Sequence, residues 1–532
     1  MNHAMRCIGR RTGRALCAAL LLAAPITTPG HADELYDEPW RPQLHFTPAA
    51  QWMNDPNGLV YVDGEYHLFY QYHPYSTRWG PMHWGHAVSR DLVHWEQLPI
   101  ALYPDEHGAI FSGSAVYDRK NTSGLGSAER PPLVAVFAYH DMSRERPGAT
   151  DIESQGLAYS LDRGRSWAKF AGNPVLKNPG VRDFRDPKVF WFAPTRRWTM
   201  ILAAKDQVSF YSSPDLKNWR HESDFGRGLG GHGGVWECPD LVEMKVTGEG
   251  TRRFVLLVSV NPGAPNGGSG TQYFVGGFDG HRFSLERGRS QQRQADAQWL
   301  DYGTDNYAGA TWSGLPAGDG RTLFLGWMSN WSYAQDVPTE RWRSAMTLPR
   351  ELQLARTPRG LELHAAPVTE LEGLRRRSAL LPTGTVVTPT ELVDAALRGA
   401  SPLELRLTLQ LGRSKAVSLS FHNAHSEELV LRIDRPHQRY QLDRSRSGAV
   451  AFSEAFARLQ SAPMLGHPDT LTLQIYLDRS SVEIFINQGE TVMTALAFPQ
   501  APFNAARLSA DAPVTVAAGM SYELTSIWSG QP

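Results

Sequence analysis

The sequence predicts an all-β protein, a radial, propeller-like repeat followed by a β-sandwich, and three observations carry that reading. From Asn57 to about residue 350, short runs rich in Val, Tyr, Phe and Trp are broken by Gly, Pro, Asp and Ser, without sustained helical periodicity. A loose repeat ends successive apolar runs at Ser89-Arg90-Asp91 through Trp95, Ser160-Leu161-Asp162 through Trp167, and Ser213-Pro214-Asp215 through Trp219. Such turns, several tens of residues apart, are what one unit per blade of a propeller would leave in a chain. Beyond residue 376 the alternation is clean, as in Leu403-Glu404-Leu405-Arg406-Leu407-Thr408-Leu409 and Leu471-Thr472-Leu473-Gln474-Ile475, which marks strands with one wet face. The irregular spacing of the repeat leaves the number of blades open.

Taken in order, residues 1–32 read as a signal peptide. Arg6, Arg10, Arg11 and Arg14 precede an apolar run from Ala15 to Ala24, and Gly30-His31-Ala32 offers a small-residue cleavage site. Arg10-Arg11 also permits a twin-arginine reading. Export to the periplasm or the medium follows, with no membrane contact after cleavage, because no later segment is long and apolar enough to span a bilayer. Cys7 and Cys17 fall in the leader, so of three cysteines only Cys238 remains, and the mature chain has no internal disulfide. Its 532 residues call for two to four domains. With 53 basic against 54 acidic residues the net charge is −1, which offers no field for nucleic acid and suits a neutral partner. Sixteen Trp and 18 Tyr supply flat faces suited to sugar rings, although aromatics fill β cores too.

Trp52-Met53-Asn54-Asp55-Pro56-Asn57-Gly58 pins a carboxylate between an amide and a proline, with Asn57-Gly58 a turn signal, so that Asp55 sits at a stiff strand end. A hairpin is expected next, from Leu59-Val60-Tyr61-Val62 through Asp63-Gly64 to Tyr66–Tyr72. The first domain is expected over 33–352. A linker over 353–375 holds a short helix between Leu363 and Leu374, and the sandwich covers 376–528.

Two further carboxylates stand beside proline: Asp186 in Phe184-Arg185-Asp186-Pro187, and Glu237 in Val235-Trp236-Glu237-Cys238-Pro239. Singly, each reads equally well as an acid ending a strand, and Asp-Pro-Asn-Gly as a surface turn. As a set with Asp55 they resemble the glycoside hydrolases of family 32, the β-fructofuranosidases, inulinases and levanases. Phe111-Ser112-Gly113-Ser114, the stretch Pro338 to Met346, Arg350-Glu351-Leu352 and Asp478 to Phe485 extend the resemblance over nearly the whole mature chain.

That resemblance implies a five-bladed propeller and a β-sandwich, and a retaining hydrolase that releases terminal fructose from levan or inulin, and from sucrose. It implies Asp55 as nucleophile, Glu237 as acid and base, and Asp186 as a stabiliser of the transition state, with the Asp55–Glu237 pair about 5 Å apart. Trp236 and Cys238 would give Glu237 a partly apolar setting, while Asp186 would stay ionised beside Arg185. Asn54, Gln71, Trp79, Phe111, Ser112, Arg185 and Trp312 match positions that hold the terminal fructosyl unit. No cofactor and no metal is implied; His83 and His86, spaced like ligands, lack a Cys or acidic cluster and are expected to pack or hydrogen-bond. An endo-levanase or invertase of the same family remains open, as does a fructan-binding protein on the same scaffold. Oligomeric state is not legible.

Overall fold

The computed structural model describes residues 35–286, 296–393 and 401–529, so the leader expected over 1–32 lies outside the described residues. The described chain is β throughout, apart from short 3-10 turns.

Among the described residues, five sheets, antiparallel but for one edge, follow one another along the first part of the chain. Their first strands are Gln51–Val62, Ala109–Tyr117, Phe184–Phe192, Val235–Lys245 and Tyr307–Thr311. In each of the first four, strands two, three and four follow in sequence order by hairpin pairing, and Trp342–Arg343 returns to add a parallel edge beside Gln51–Val62. The first strand of each sheet lies against the first strand of the next, and the fifth against the first, so the inner strands close a cycle. Residues far apart in sequence meet there.

The repeat seen in the sequence is the connection between the third and fourth strands of the first three sheets. Ser89 Oγ donates to Asp91 Oδ1 at 3.0 Å, which also takes the Val93 and His94 amides; Ser213 with Asp215 does the same, and Ser160 donates to Asp162 Oδ1, which takes the Ser166 amide. In all three, the following Trp returns its indole N–H to a backbone carbonyl of the turn: Leu92, Gly164 and Leu216. A side-chain carboxylate that accepts one or two turn amides is a local way to end one strand and start another.

The expected hairpin forms between Gln51–Val62 and Glu65–His73 and turns at Asp63-Gly64; Asp55 stands inside the first strand and not at its end, and Asn57-Gly58 makes no turn. The strand runs through both residues with a second bulge between Asn57 and Val60. Gly58 is required there: its φ is 59°, and a Cβ would lie 2.5 Å from the Phe69 ring. The expected linker also differs. Arg350–Thr357 and Gly360–Pro367 pair as the outer strands of the fifth sheet, with Leu352, Leu354, Leu361 and Leu363 buried, and the helical turn is confined to a 3-10 helix over Thr369–Leu374. Alternating leucines bought by burial outweigh the helical signal of Ala365-Ala366.

From Arg375 onward two sheets of seven and six strands form a second unit. Leu403, Leu405, Leu407 and Leu409 all point inward, and the core they make includes Leu419, Leu431 and Leu442 of the other sheet. A separate core, containing Leu348, Tyr476, Phe485, Val492 and Trp528, is continuous across the junction between the two units. Buried charges cross the same junction: His45 lies 2.7 Å from Asp478 and 3.0 Å from Glu483, and Arg444 lies 2.7 Å from Asp305.

Candidate active site

All five inner strands are bulged near the same end of the cycle. In each, two residues stand against one on the neighbouring strand. Asn54-Asp55 oppose Gln71, Phe111-Ser112 oppose Ala138, and Asp186-Pro187 oppose Leu202; Cys238-Pro239 oppose Val258, and Ala308-Gly309 oppose Gly326. A bulge releases a strand from its pleat and re-aims a side chain, and proline, which has no N–H to give a ladder, is tolerated at such a point. Asp186, Cys238 and Ala308 go further, with φ of 60°, 46° and 52°. Holding non-glycine residues there costs on the order of 1–3 kcal/mol each, which the closed cycle must offset.

A cavity of about 660 Å³ opens at these bulges, lined by Asp55, Asp186 and Glu237 among others. Trp52 donates its indole N–H to Asn54 Oδ1 at 2.7 Å, which turns the Asn54 amide so that Nδ2 donates to Asp55 Oδ1 at 2.9 Å. Ser112 Oγ donates to Asp55 Oδ2 at 2.8 Å. Burial pushes the Asp55 carboxyl above its ordinary range; the Asn54 hydrogen bond opposes this and the charge of Glu237 adds to it.

Glu237 is held from two sides. Arg185 Nη2 donates to its Oε1 at 2.9 Å, and the Tyr307 hydroxyl donates to its Oε2. Trp236, expected to make the surroundings of Glu237 apolar, faces the other way: its ring is fully buried in a core shared by the third and fourth sheets, with its N–H on Gly231 O at 2.8 Å. Strand alternation sends neighbours to opposite faces.

Asp186 Oδ2 accepts the Cys238 amide at 3.0 Å. Burial, opposed by Arg185 but reinforced by Glu237 and Asp55, pushes Asp186 up to about 7, so the expectation of a permanently ionised group is corrected. The charge state of Asp186 is therefore tied to the charged groups packed around it. The Cys238 thiol, pushed up by burial and by Asp186 and Asp55, stays protonated and lies 3.5 Å from Asp55 Oδ2.

The other expected residues divide. Gln71, Trp79 and Phe111 line the cavity; Gln71 Nε2 donates to Ile110 O at 3.1 Å, Trp79 meets Phe111 edge-on at 6.0 Å, and Phe111 stacks on His140 at 4.3 Å. Trp312 does not. Its indole donates to His67 O at 3.0 Å and packs among Tyr66 and Trp95 in the core. It lies five residues beyond Tyr307, roughly 15 Å along an extended chain from the bulged end. Sequence reasoning missed Tyr307, Glu153, Asp183 and His140; of these, Tyr307 stands five residues before the expected Trp312. His86 Nε2 lies 3.0 Å from His67 Nδ1, and His83 Nδ1 faces Pro81 O at 3.1 Å. Among the described residues no three His, Cys, Asp or Glu side chains are grouped as metal ligands.

Comparison with known proteins gives the same reading at both ends of the chain. The profile of the glycosyl hydrolases family 32 N-terminal domain matches residues 45–367, and that of the family 32 C-terminal domain matches residues 370–528. A levanase of Bacillus subtilis is 46% identical over 518 residues, covering 96% of this chain and 74% of its own. An extracellular exo-inulinase of Aspergillus awamori is 38% identical, covering 93% of this chain and 96% of its own. A crystal structure of exo-inulinase from the same organism superposes with a TM-score of 0.84 at 36% identity, over 93% of this chain and 100% of its own.

Proposed function

The chain belongs to glycosyl hydrolase family 32, and on that premise we propose that it is an exo-acting β-fructosidase with Asp55 as nucleophile, Glu237 as acid and base, and Asp186 as stabiliser. It is a glycoside hydrolase of the β-fructofuranosidase type, and fructans or sucrose are what it hydrolyses. One observation carries the assignment of roles: Asp55, Asp186 and Glu237, each beside a bulge of a different inner strand, line one cavity.

In the proposed reaction Glu237 gives its proton to the glycosidic oxygen while an Asp55 oxygen closes on the fructosyl ring carbon as the leaving group departs. Water then attacks that carbon, Glu237 takes the water's proton, and Asp55 leaves as a carboxylate, so configuration is retained. Ser112 and Asn54 hold the two Asp55 oxygens in place for both steps. A carboxyl at Asp186 that is partly protonated can either donate to or accept from a sugar hydroxyl, and its interaction strengthens as the ring gains charge. Gln71, Trp79, Phe111 and Arg185 complete the wall of the terminal-fructose site in this reading.

The five sheets are read as blades of a five-bladed propeller, supported by the closed cycle of first strands, and the last two sheets as a β-sandwich, supported by their common core. The first domain extends in this reading through Pro367, and residues 1–32 are a signal peptide that sends the protein to the periplasm or the medium. The extracellular exo-inulinase relative supports export. No helix among the described residues is long and apolar enough to cross a membrane.

Reducing-sugar release from sucrose, inulin and levan, with thin-layer separation of early products, tests the reading. Fructose alone from each active substrate is the expected result. Oligomers at early times would make the enzyme endo-acting, and no product from any substrate would leave a binding protein.

A further inference from the structure

Arg185 is shared. Its Nη2 serves Glu237 Oε1 at 2.9 Å, while Nη1 serves both Glu153 Oε1 at 3.0 Å and Asp183 Oδ1 at 2.9 Å, and Nε lies 4.0 Å from Asp186 Oδ2. Glu153 comes from the second sheet, is only 2% exposed, and cannot swing away: the Phe184 amide donates to its Oε2 at 2.6 Å and His140 Nδ1 lies 3.2 Å from its Oε1. Burial alone would raise this carboxyl, but Arg185 and His140 outweigh it and hold Glu153 low, as an anion.

A general acid paired one-to-one with an arginine is a poor acid, because the pair favours the ionised carboxylate and the reaction needs the protonated one. We propose that Glu153 and Asp183 are positioning residues of the reaction: they hold the guanidinium in place for the sugar and divide its charge, leaving Glu237 able to carry the proton that the leaving group takes. This rests on the reading of Glu237 as the acid. The other groups facing the cluster are Asp55 from the first sheet, His140 from the second and Asp186 from the third, with Cys238 from the fourth and Tyr307 from the fifth. Glu145 lies 3.7 Å from His140, and Arg182 lies 3.6 Å from Asp183. Of these only Arg185 touches both Glu153 and Glu237, so it is the coupling atom set.

The test is the pH dependence of kcat/KM on sucrose for the full mature enzyme and its Glu153→Gln, Glu153→Asp and Asp183→Asn variants. Glu153→Gln removes a competing anion, so the alkaline limb should move to lower pH by about one unit, a tenfold loss on that limb, with a smaller change at acid pH. Glu153→Asp keeps the charge and should keep the limb near its original place. Glu153→Gln also leaves a single oxygen for the buried Phe184 amide, the Arg185 guanidinium and His140, and can fail to fold. Asp183→Asn, in a loop at the cavity, should move the limb in the same direction without that risk. A uniform loss at every pH with the limb unmoved, in either charge-removing variant that folds, overturns the proposal. In Glu237→Gln the limb should vanish; if it persists there, the acid assignment itself fails and this inference fails with it, whereas a vanished limb with unmoved limbs in the other variants sinks the inference alone.

Discussion

Arg350 Nη2 donates to Glu483 Oε2 at 2.7 Å with both side chains fully buried, tying the outer part of the fifth sheet to the second unit. The same guanidinium reaches Asp301 at 2.9 Å, and Glu483 Oε1 takes the Leu348 amide at 2.6 Å and faces His45. Breaking such a pair leaves a buried charge without its partner and costs about 3–5 kcal/mol. Arg350→Met should therefore lower the stability of the whole chain by about that much in denaturant unfolding. A chain ending near residue 375 should aggregate, because it uncovers the shared apolar core as well as these charges. A loss under about 1 kcal/mol, or a soluble, sucrose-active truncation, would refute the role of the second unit as a brace.

His45 makes that junction sensitive to alkali. Burial by itself would lower its imidazole, but the hydrogen bonds and charges of Asp478 and Glu483 outweigh burial and raise it to about 9. The folded state therefore keeps a proton that the unfolded chain releases near 6.5. This contribution is whole below about pH 6.5 and is lost as pH rises through about 9. Unfolding free energy measured across that window should fall in the native protein and fall less in His45→Asn; parallel curves would count against it.

At the acid end the sign reverses. His67 and His86 are buried against each other, and burial, with Arg165 adding and Glu65 opposing, pushes His67 down to about 4; burial also holds His86 well below its ordinary value. The unfolded chain takes protons from about pH 6.5 downward while the folded state refuses them, so stability should drop between about 6.5 and 4. His67→Phe should shift the acid-unfolding midpoint to lower pH. An unchanged midpoint would place the acid lability elsewhere.

Asp55→Asn should abolish turnover, by a factor of about 10⁴ or more, with the fold intact. The new amide can be accommodated because the Ser112 hydroxyl can rotate to accept a hydrogen bond while Asn54 Nδ2 still donates to the remaining oxygen. Circular dichroism and melting should match the parent. Near-parental activity in a preparation checked for deamidation would remove Asp55 from the role of nucleophile.

For Glu237→Gln the loss should depend on the leaving group. On sucrose, whose leaving oxygen needs a proton, about 10²–10⁴-fold is expected; on an activated aryl fructoside, much less, when the second step does not limit. Single-turnover rates on the two substrates separate the cases. Equal losses on both would speak against an acid.

Much of the site was legible because proline marks it. Asp55-Pro56, Asp186-Pro187 and Glu237-Cys238-Pro239 put a residue that cannot donate a ladder hydrogen bond inside apolar, strand-like runs, and each of those points is a bulge. The Ser-x-Asp turns were legible because their hydrogen bonds are local, and the alternating leucines of 403–409 because a period of two names the buried face. By itself, then, the sequence determined the β class, the local turns and the proline-marked carboxylates. The tertiary structure alone decided what those carboxylates touch. Arg185 meets Glu153 of the second sheet and Glu237 of the fourth, and Tyr307 of the fifth donates to Glu237, only because the inner strands close a cycle. It also turned Trp236 away from Glu237 and sent Trp312 into the core, since the face and depth of a side chain depend on register and bulges. Contacts between residues 32 or more apart are set by chain closure, to which local spacing and propensity are blind.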